Sequence, residues 1–188
     1  NFRRQKIGNA NWINKNYNFS YISEFIDELA ILDISHKKNK KKFIDDTKSI
    51  TKNVFVPLAL GGGIKKYDDA KYYFENGADK IIINSKVLEK PELIKKISHI
   101  YGSSSVIISI DVKLNFKNYF VYTNNGQKNT NLTLENYLEM ISKLDFAEIY
   151  LNSIDRDGTG TGLDKKLLSR VNKFNFKYII SGGLGNYK

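Results

Sequence analysis

Short apolar runs ending in glycine or a small polar residue punctuate the chain at a near-regular interval. They occupy residues 26–35, 54–63, 79–85, 106–113, 146–155 and 177–181. Each has the length of a buried strand, not of a helix. Between them the apolar positions follow a helical period, which predicts helices over 12–25 (open to interruption at Asn18–Ser20), 40–52, 67–76, 91–101, 133–144 and 164–173. Gly77 closes the third helix, Pro91 opens the fourth and Thr133 caps the fifth. The strand-end markers Asp33, Gly61, Asn84, Asp111, Asp157 and Gly182 are spaced by 28, 23, 27, 46 and 25 residues. The long interval carries Asn124-Asn125-Gly126 between two strand-like segments, which predicts a hairpin. Residues 1–11 read as a basic loop.

Buried strands alternating with helices predict a parallel sheet. Polar residues and glycines gather at the C-terminal end of every strand, which suits a (β/α)8 TIM barrel, where the site is assembled from all those ends. An open doubly wound sheet would concentrate function at one switch point instead. Six strands of this kind predict an incomplete barrel, two strands short of eight, in a single partial domain over residues 1–188. An opening residue that is Asn, not Met, fits a piece of a longer protein.

Composition removes several chemistries. With no cysteine, a thiol nucleophile, a disulfide and a thiolate metal site are excluded, and two histidines, His36 and His99, leave little for a His-based triad or metal site. No cofactor and no metal is expected. No apolar run reaches the ~20 residues of a membrane span, and no signal peptide opens the chain, so the expected compartment is the cytoplasm. The formal charge of +10 invites a nucleic-acid reading, but the lysines are spread over helices and loops, with one run at 36–42. A phosphorylated small substrate or an acidic partner would use the same field, so neither nucleic acid nor membrane is the expected partner.

Candidate chemistry lies at the strand ends. Residues 151–162 begin as an apolar strand and break into Asp155, Asp157 and alternating Gly and Thr around Gly158. Such backbone leaves N–H groups open to an anion such as phosphate, although a turn with Asp164 capping the next helix reads the same. A half-repeat joins Gly61-Gly62-Gly63 to Gly182-Gly183, each following an Asp-bearing strand end. Each loop is either a phosphate cradle or a tight turn, and two cradles would hold a substrate with two phosphate ends. Without Cys or a placed His, proton transfer falls to carboxylates. Asp111 shares parity with Ile107 and Ser109 and projects inward if they do; Asp157 and Asp33 are further candidates. At the strand starts Glu28, Lys80 and Glu148 face inward by parity, either as mutual ion pairs or as a gate on an axial passage.

The segments IDELAILDIS, LALGGGI, GADKIIINS, VIISIDVK, GQKNT, AEIYLNSIDRDGTGTG and ISGGLG resemble the cyclase subunit of imidazole glycerol phosphate synthase, HisF, and its relatives in surface-polysaccharide amidation clusters. The resemblance implies a (β/α)8 barrel that takes ammonia from a separate HisH-like glutaminase. The family converts a bis-phosphate ribulosyl formimino carboxamide ribotide to imidazole glycerol phosphate and aminoimidazole carboxamide ribotide, a step of histidine biosynthesis. By motif, Asp111 resembles one of two catalytic carboxylates, assisted by Asp157 and Asp33. Gly62, Gly63, Asn84 and Ser85 resemble one phosphate site, and Gly158, Gly182 and Gly183 part of the other; Asn129 and Thr130 of the hairpin resemble substrate contacts. Glu28, Lys80 and Glu148 resemble the ammonia gate. Three features depart from the family. The family's first strand, which carries its other catalytic Asp, and its eighth, with the rest of one phosphate site, are expected to be missing from residues 1–188; Tyr150 stands where a smaller aliphatic is usual; and Asn152 with the basic opening leans toward the polysaccharide relatives. The second reading is therefore an ammonia-delivery or docking subunit without cyclase chemistry.

Overall fold

In a computed structural model, which describes residues 9–185, the chain divides into two compact units between Ile82 and Ile83. The first unit contains helices α1 (Ala10–Asn16) and α2 (Phe19–Ile22), strand β1 (Leu29–Leu32), α3 (Lys40–Ile50), β2 (Leu58–Gly61), α4 (Tyr67–Glu75) and β3 (Lys80–Ile83), whose last residue opens the second unit. The basic stretch at residues 1–8 lies outside the described residues.

Asparagine decides where these first helices start. Asn9, Asn18 and Asn39 each accept a hydrogen bond from the backbone N–H three residues on, which satisfies a donor the helix cannot. That preference interrupts the helix expected over 12–25 where its sequence allows it, because Asn18 caps a new turn after Tyr17 has gone extended. α4 is opened by Asp69, whose carboxylate accepts from the Lys65 and Lys66 amides and pairs with the Lys40 ammonium. The three strands run parallel, with Leu29 opposite Leu58 and Ala59 opposite Lys80. Ile44, Leu60, Ala70, Tyr73 and Ile81 are fully buried around them. Strands β1 and β2 are shorter than the apolar runs 26–35 and 54–63 that predict them. Phe55, inside the second run, is 92% exposed, so the ladder starts only after it.

The second unit contains α5 (Lys86–Glu89), α6 (Pro91–Tyr101), β4 (Val106–Asn115), β5 (Asn118–Thr123), β6 (Lys128–Thr133), α7 (Leu134–Ile141), β7 (Glu148–Ser153), α8 (Lys165–Val171) and β8 (Tyr178–Ser181). β4 is its central strand, antiparallel to β5 and parallel to β7, and β8 continues the parallel ladder from β7. The expected hairpin is β5–β6, turning through Asn124 and Asn125, both with positive φ. Thr133 and Asp164 cap α7 and α8 through their side chains. Asp164 also receives the buried Tyr119 hydroxyl at 2.9 Å from both oxygens, tying hairpin to helix.

Eight strands are described, of which β5 and β6 belong to the hairpin, leaving six of the repeating kind. The architecture is that of the (β/α)8 class, and neither unit is itself a closed barrel. Within its unit β1 pairs only with β2, and β8 only with β7.

Candidate active site

Strand register places the central carboxylate. β4 and β7 pair Ile107 with Glu148, Ser109 with Tyr150 and Asp111 with Asn152, while β7 and β8 pair Tyr150 with Ile179 and Asn152 with Ser181. Side chains alternate faces along a strand, so in-register parallel neighbours share a face. Asp111, Asn152 and Ser181 therefore form one polar row across three strands, near their C-terminal ends. Ser109, Tyr150 and Ile179 form the row beneath it.

The polar row is joined by hydrogen bonds. Asn84, just after β3, donates its amide to one Asp111 oxygen at 2.9 Å, and Asn152 donates to the other at 3.0 Å. Ser181 in turn donates its hydroxyl to the Asn152 carbonyl oxygen at 3.1 Å. Burial pushes the Asp111 carboxyl above the usual carboxylate range, the Asn152 and Asn84 amides work against that rise, and the nearby Asp157 charge adds to it. Burial likewise raises Asp157, opposed by the Gly158 backbone N–H. Carboxyls lifted toward neutrality are suited to exchanging protons with a substrate.

The loop after β7 is internally braced. Asp155 accepts the Leu114 amide at 2.7 Å, fastening the loop to the end of β4. Arg156 donates to Thr161 at 3.0 Å, and the Thr159 and Thr161 hydroxyls meet at 2.8 Å. The Gly162 amide donates to the Gly183 carbonyl at 2.8 Å, so the Gly158 loop and the Gly182-Gly183 loop are joined directly. Ser85 accepts the Asn124 amide at 3.2 Å, which ties the hairpin tip to the chain after β3. Asn129 accepts the Asn131 amide at 2.8 Å, and the Thr130 hydroxyl donates to the Val121 carbonyl at 2.8 Å; both serve the hairpin itself.

In the first unit Asp33 follows β1 and accepts from the Ser35 amide at 2.9 Å and the Ser35 hydroxyl at 2.6 Å, with the Lys38 ammonium 3.5 Å away. Its carboxylate is thus engaged locally. Gly62 and Gly63 follow β2, and the Gly62 carbonyl accepts the buried Tyr73 hydroxyl at 2.7 Å. At the strand starts Lys80 and Glu28 form an ion pair at 2.5 Å, and the other Glu28 oxygen is buried without a hydrogen-bond partner. Glu148 opens β7 in the second unit.

Parity along β4 identifies Asp111 from the sequence, but not its partners. Asn152 and Ser181 lie 41 and 70 residues away in the chain, and only the ladder register brings them into its row. Among the described residues no cluster of three or more His, Cys, Asp or Glu could hold a metal ion. No described helix is long and apolar enough to cross a membrane.

Comparison with known proteins gives the family. Residues 14–188 match the family described as "Histidine biosynthesis protein". A Parasynechococcus marenigrum protein, provisionally named imidazole glycerol phosphate synthase subunit hisF2, is 40% identical over 188 residues, covering 99% of this chain and 70% of that protein. The imidazole glycerol phosphate synthase subunit HisF of Chlorobium limicola is 40% identical over 168 residues, 88% of this chain and 67% of its own length. The HisF subunit of Pyrobaculum aerophilum is 38% identical over 167 residues, 88% and 66% of the two chains. On these matches the chain belongs to the histidine-biosynthesis protein family as a HisF-like member.

Proposed function

We propose that this chain is the cyclase, a lyase, of an imidazole glycerol phosphate synthase, using ammonia supplied by a HisH-like glutaminase partner in the cytoplasm. The substrate in this reading is the bis-phosphate ribulosyl formimino carboxamide ribotide, closed to imidazole glycerol phosphate with release of aminoimidazole carboxamide ribotide. The observation that carries it is Asp111, half-buried at a strand end with an amide donor on each oxygen and Asp157 nearby. Asp111 takes the proton that the ammonia nitrogen sheds as it bonds to carbon, and Asp157 assists beside it at the mouth. Asp33 assists from its own strand end. Gly62 and Gly63 in the first unit, Asn84 and Ser85 in the second, and the joined loops of Gly158, Gly182 and Gly183 offer N–H and polar groups for phosphate. Asn129 and Thr130 hold the hairpin over the substrate. Glu28 and Lys80, and Glu148 at the start of β7, guard the entry of ammonia. Residues 1–188 act in this reading as a single barrel domain.

The test is turnover of the full-length protein with ammonium salt and the ribotide. Asp111→Asn should lower it by about 10²–10⁴-fold, the usual worth of a general acid or base. Turnover within about threefold of the parent sinks the assignment. One observation favours the other reading, an ammonia-delivery subunit for sugar amidation: Tyr150 puts a phenol in the inward row beneath Asp111. A parent protein inert toward the ribotide, yet able to stimulate its glutaminase, would establish that alternative.

A further inference from the structure

We propose that Ser181 and Asn152 form a hydrogen-bond chain of fixed polarity that positions the Asp111 carboxylate as a base; the proposal rests on the catalytic reading of Asp111 above. Donor and acceptor accounting sets the polarity. An ionised carboxylate only accepts, so both amide groups on Asp111 must present N–H. The Asn152 nitrogen is committed there, which leaves its carbonyl oxygen toward Ser181. A carbonyl also only accepts, so the single Ser181 hydroxyl proton goes to Asn152. Every proton therefore points one way, from Ser181 to Asn152 to Asp111.

That polarity opposes protonation. A proton on the Asp111 lone pair facing Asn152 would meet an N–H donor. Relief requires the Asn152 amide to turn over and the Ser181 hydroxyl to reverse. The chain thus works against the burial that favours the neutral acid. Simple strand pairing does not need it: the β4–β7 and β7–β8 ladders already join these strands. Polar groups in this row cost desolvation that an apolar row would avoid. The titratable groups around Asp111 are Tyr122, opposite it on β5, Tyr150 on β7 and Asp157 after β7. Asp157, as a like charge, also favours protonation of Asp111. The amides are the groups that oppose it.

The test uses the full-length protein with ¹³C-labelled aspartate, the Asp111 resonance being assigned by its loss in Asp111→Asn. Carboxyl titration is compared in the parent, Asn152→Ala, Ser181→Ala and Ser181→Thr. Asn152→Ala should move the Asp111 midpoint upward and cut kcat by about 10–100-fold, the worth of one hydrogen bond to a charged group, with little change in KM for ammonia. The acid limb of the rate profile should move with it. Ser181→Ala should give a smaller shift in the same direction, and Ser181→Thr, which keeps the hydroxyl, should restore the parent behaviour. If Asn152→Ala does not fold, Ser181→Ala carries the comparison, since it removes one atom. An unmoved Asp111 midpoint in folded Asn152→Ala or Ser181→Ala overturns the chain while leaving the cyclase reading intact. Parent-like turnover in Asp111→Asn removes the catalytic reading itself, and the chain's assigned role falls with it even if the midpoints shift.

Discussion

Asp111 is held where its charged form is costly, and that cost has a sign. Its folded-state pKa lies above the ~3.9 of an unfolded Asp, so between the two values the folded protein binds more protons than the unfolded chain. Stability is then lost as pH rises through that window, and at neutral pH the carboxylate weighs against folding. Asp111→Asn has no such charge, so the melting temperature of the parent relative to the variant should fall as pH rises from about 4 to 7, even as the variant's turnover collapses. A parent that gains on the variant over that range would contradict the burial argument. Asp69 has the opposite sign. Burial pushes its carboxyl up, but the Lys40 hydrogen bond and the Lys65 and Lys66 amides outweigh burial and hold it below the usual range. Its contribution is present above the unfolded pKa and lost as pH falls through the lower, folded one. Asp69→Ala should cost about 1–2 kcal/mol in denaturant unfolding at pH 7 as the α4 cap is lost. The cost should be smaller at acid pH, where the parent carboxyl also protonates.

At the scale of elements, the chain writes its boundaries in side chains that satisfy backbone. Thr133, Asp164 and Pro91 are legible as helix starts because each acts within one turn, and Asn124-Asn125-Gly126 is legible as a turn for the same reason. Strand ends are less legible, since hydrophobicity continues past the last ladder pair: Phe55 belongs to an apolar run and not to β2. The polar row is the least legible part, because register between β4, β7 and β8 is a property of three distant segments at once. Glycines at the strand ends show how such geometry is enforced. Gly182 has φ +96°, and an added Cβ would stand 2.6 Å from the Ser153 carbonyl oxygen, whereas Gly77 has φ +101° and open space around it. Gly77→Ala should cost about 1 kcal/mol from conformation alone, and Gly182→Ala about 2–4 kcal/mol because overpacking adds to it. Equal costs in denaturant unfolding would show that the loop after β8 yields freely, and would weaken its case as a preformed anion cradle.

At the scale of the whole molecule, the alternation of strand and helix is legible because every repeat carries the same apolar signature. The division into two units is not, since it falls inside the unbroken apolar run Ile81-Ile82-Ile83 of β3. Cover differs sharply between the strands of those units. Val106 to Ile110 of β4 are all buried, and the strand has ladder partners on both sides, β5 and β7. β1 has only half-buried or exposed residues and pairs within its unit with β2 alone. Backbone hydrogen bonds open most readily where few apolar contacts must be broken with them. Amide exchange should therefore be slowest in β4 and β7, and faster in β1 by at least about tenfold, a gap of ~1.4 kcal/mol in opening free energy. β8, whose four residues are also only half-buried, should fall between them, because its ladder rests on the well-covered β7. Uniform exchange across β1, β4 and β8 would mean that the chain opens in one cooperative step and that its half-covered strands are shielded in solution. A graded pattern would place Asp111 and Asn152 of the polar row on the most rigid strands of the molecule, where a base must be held to fractions of an ångström.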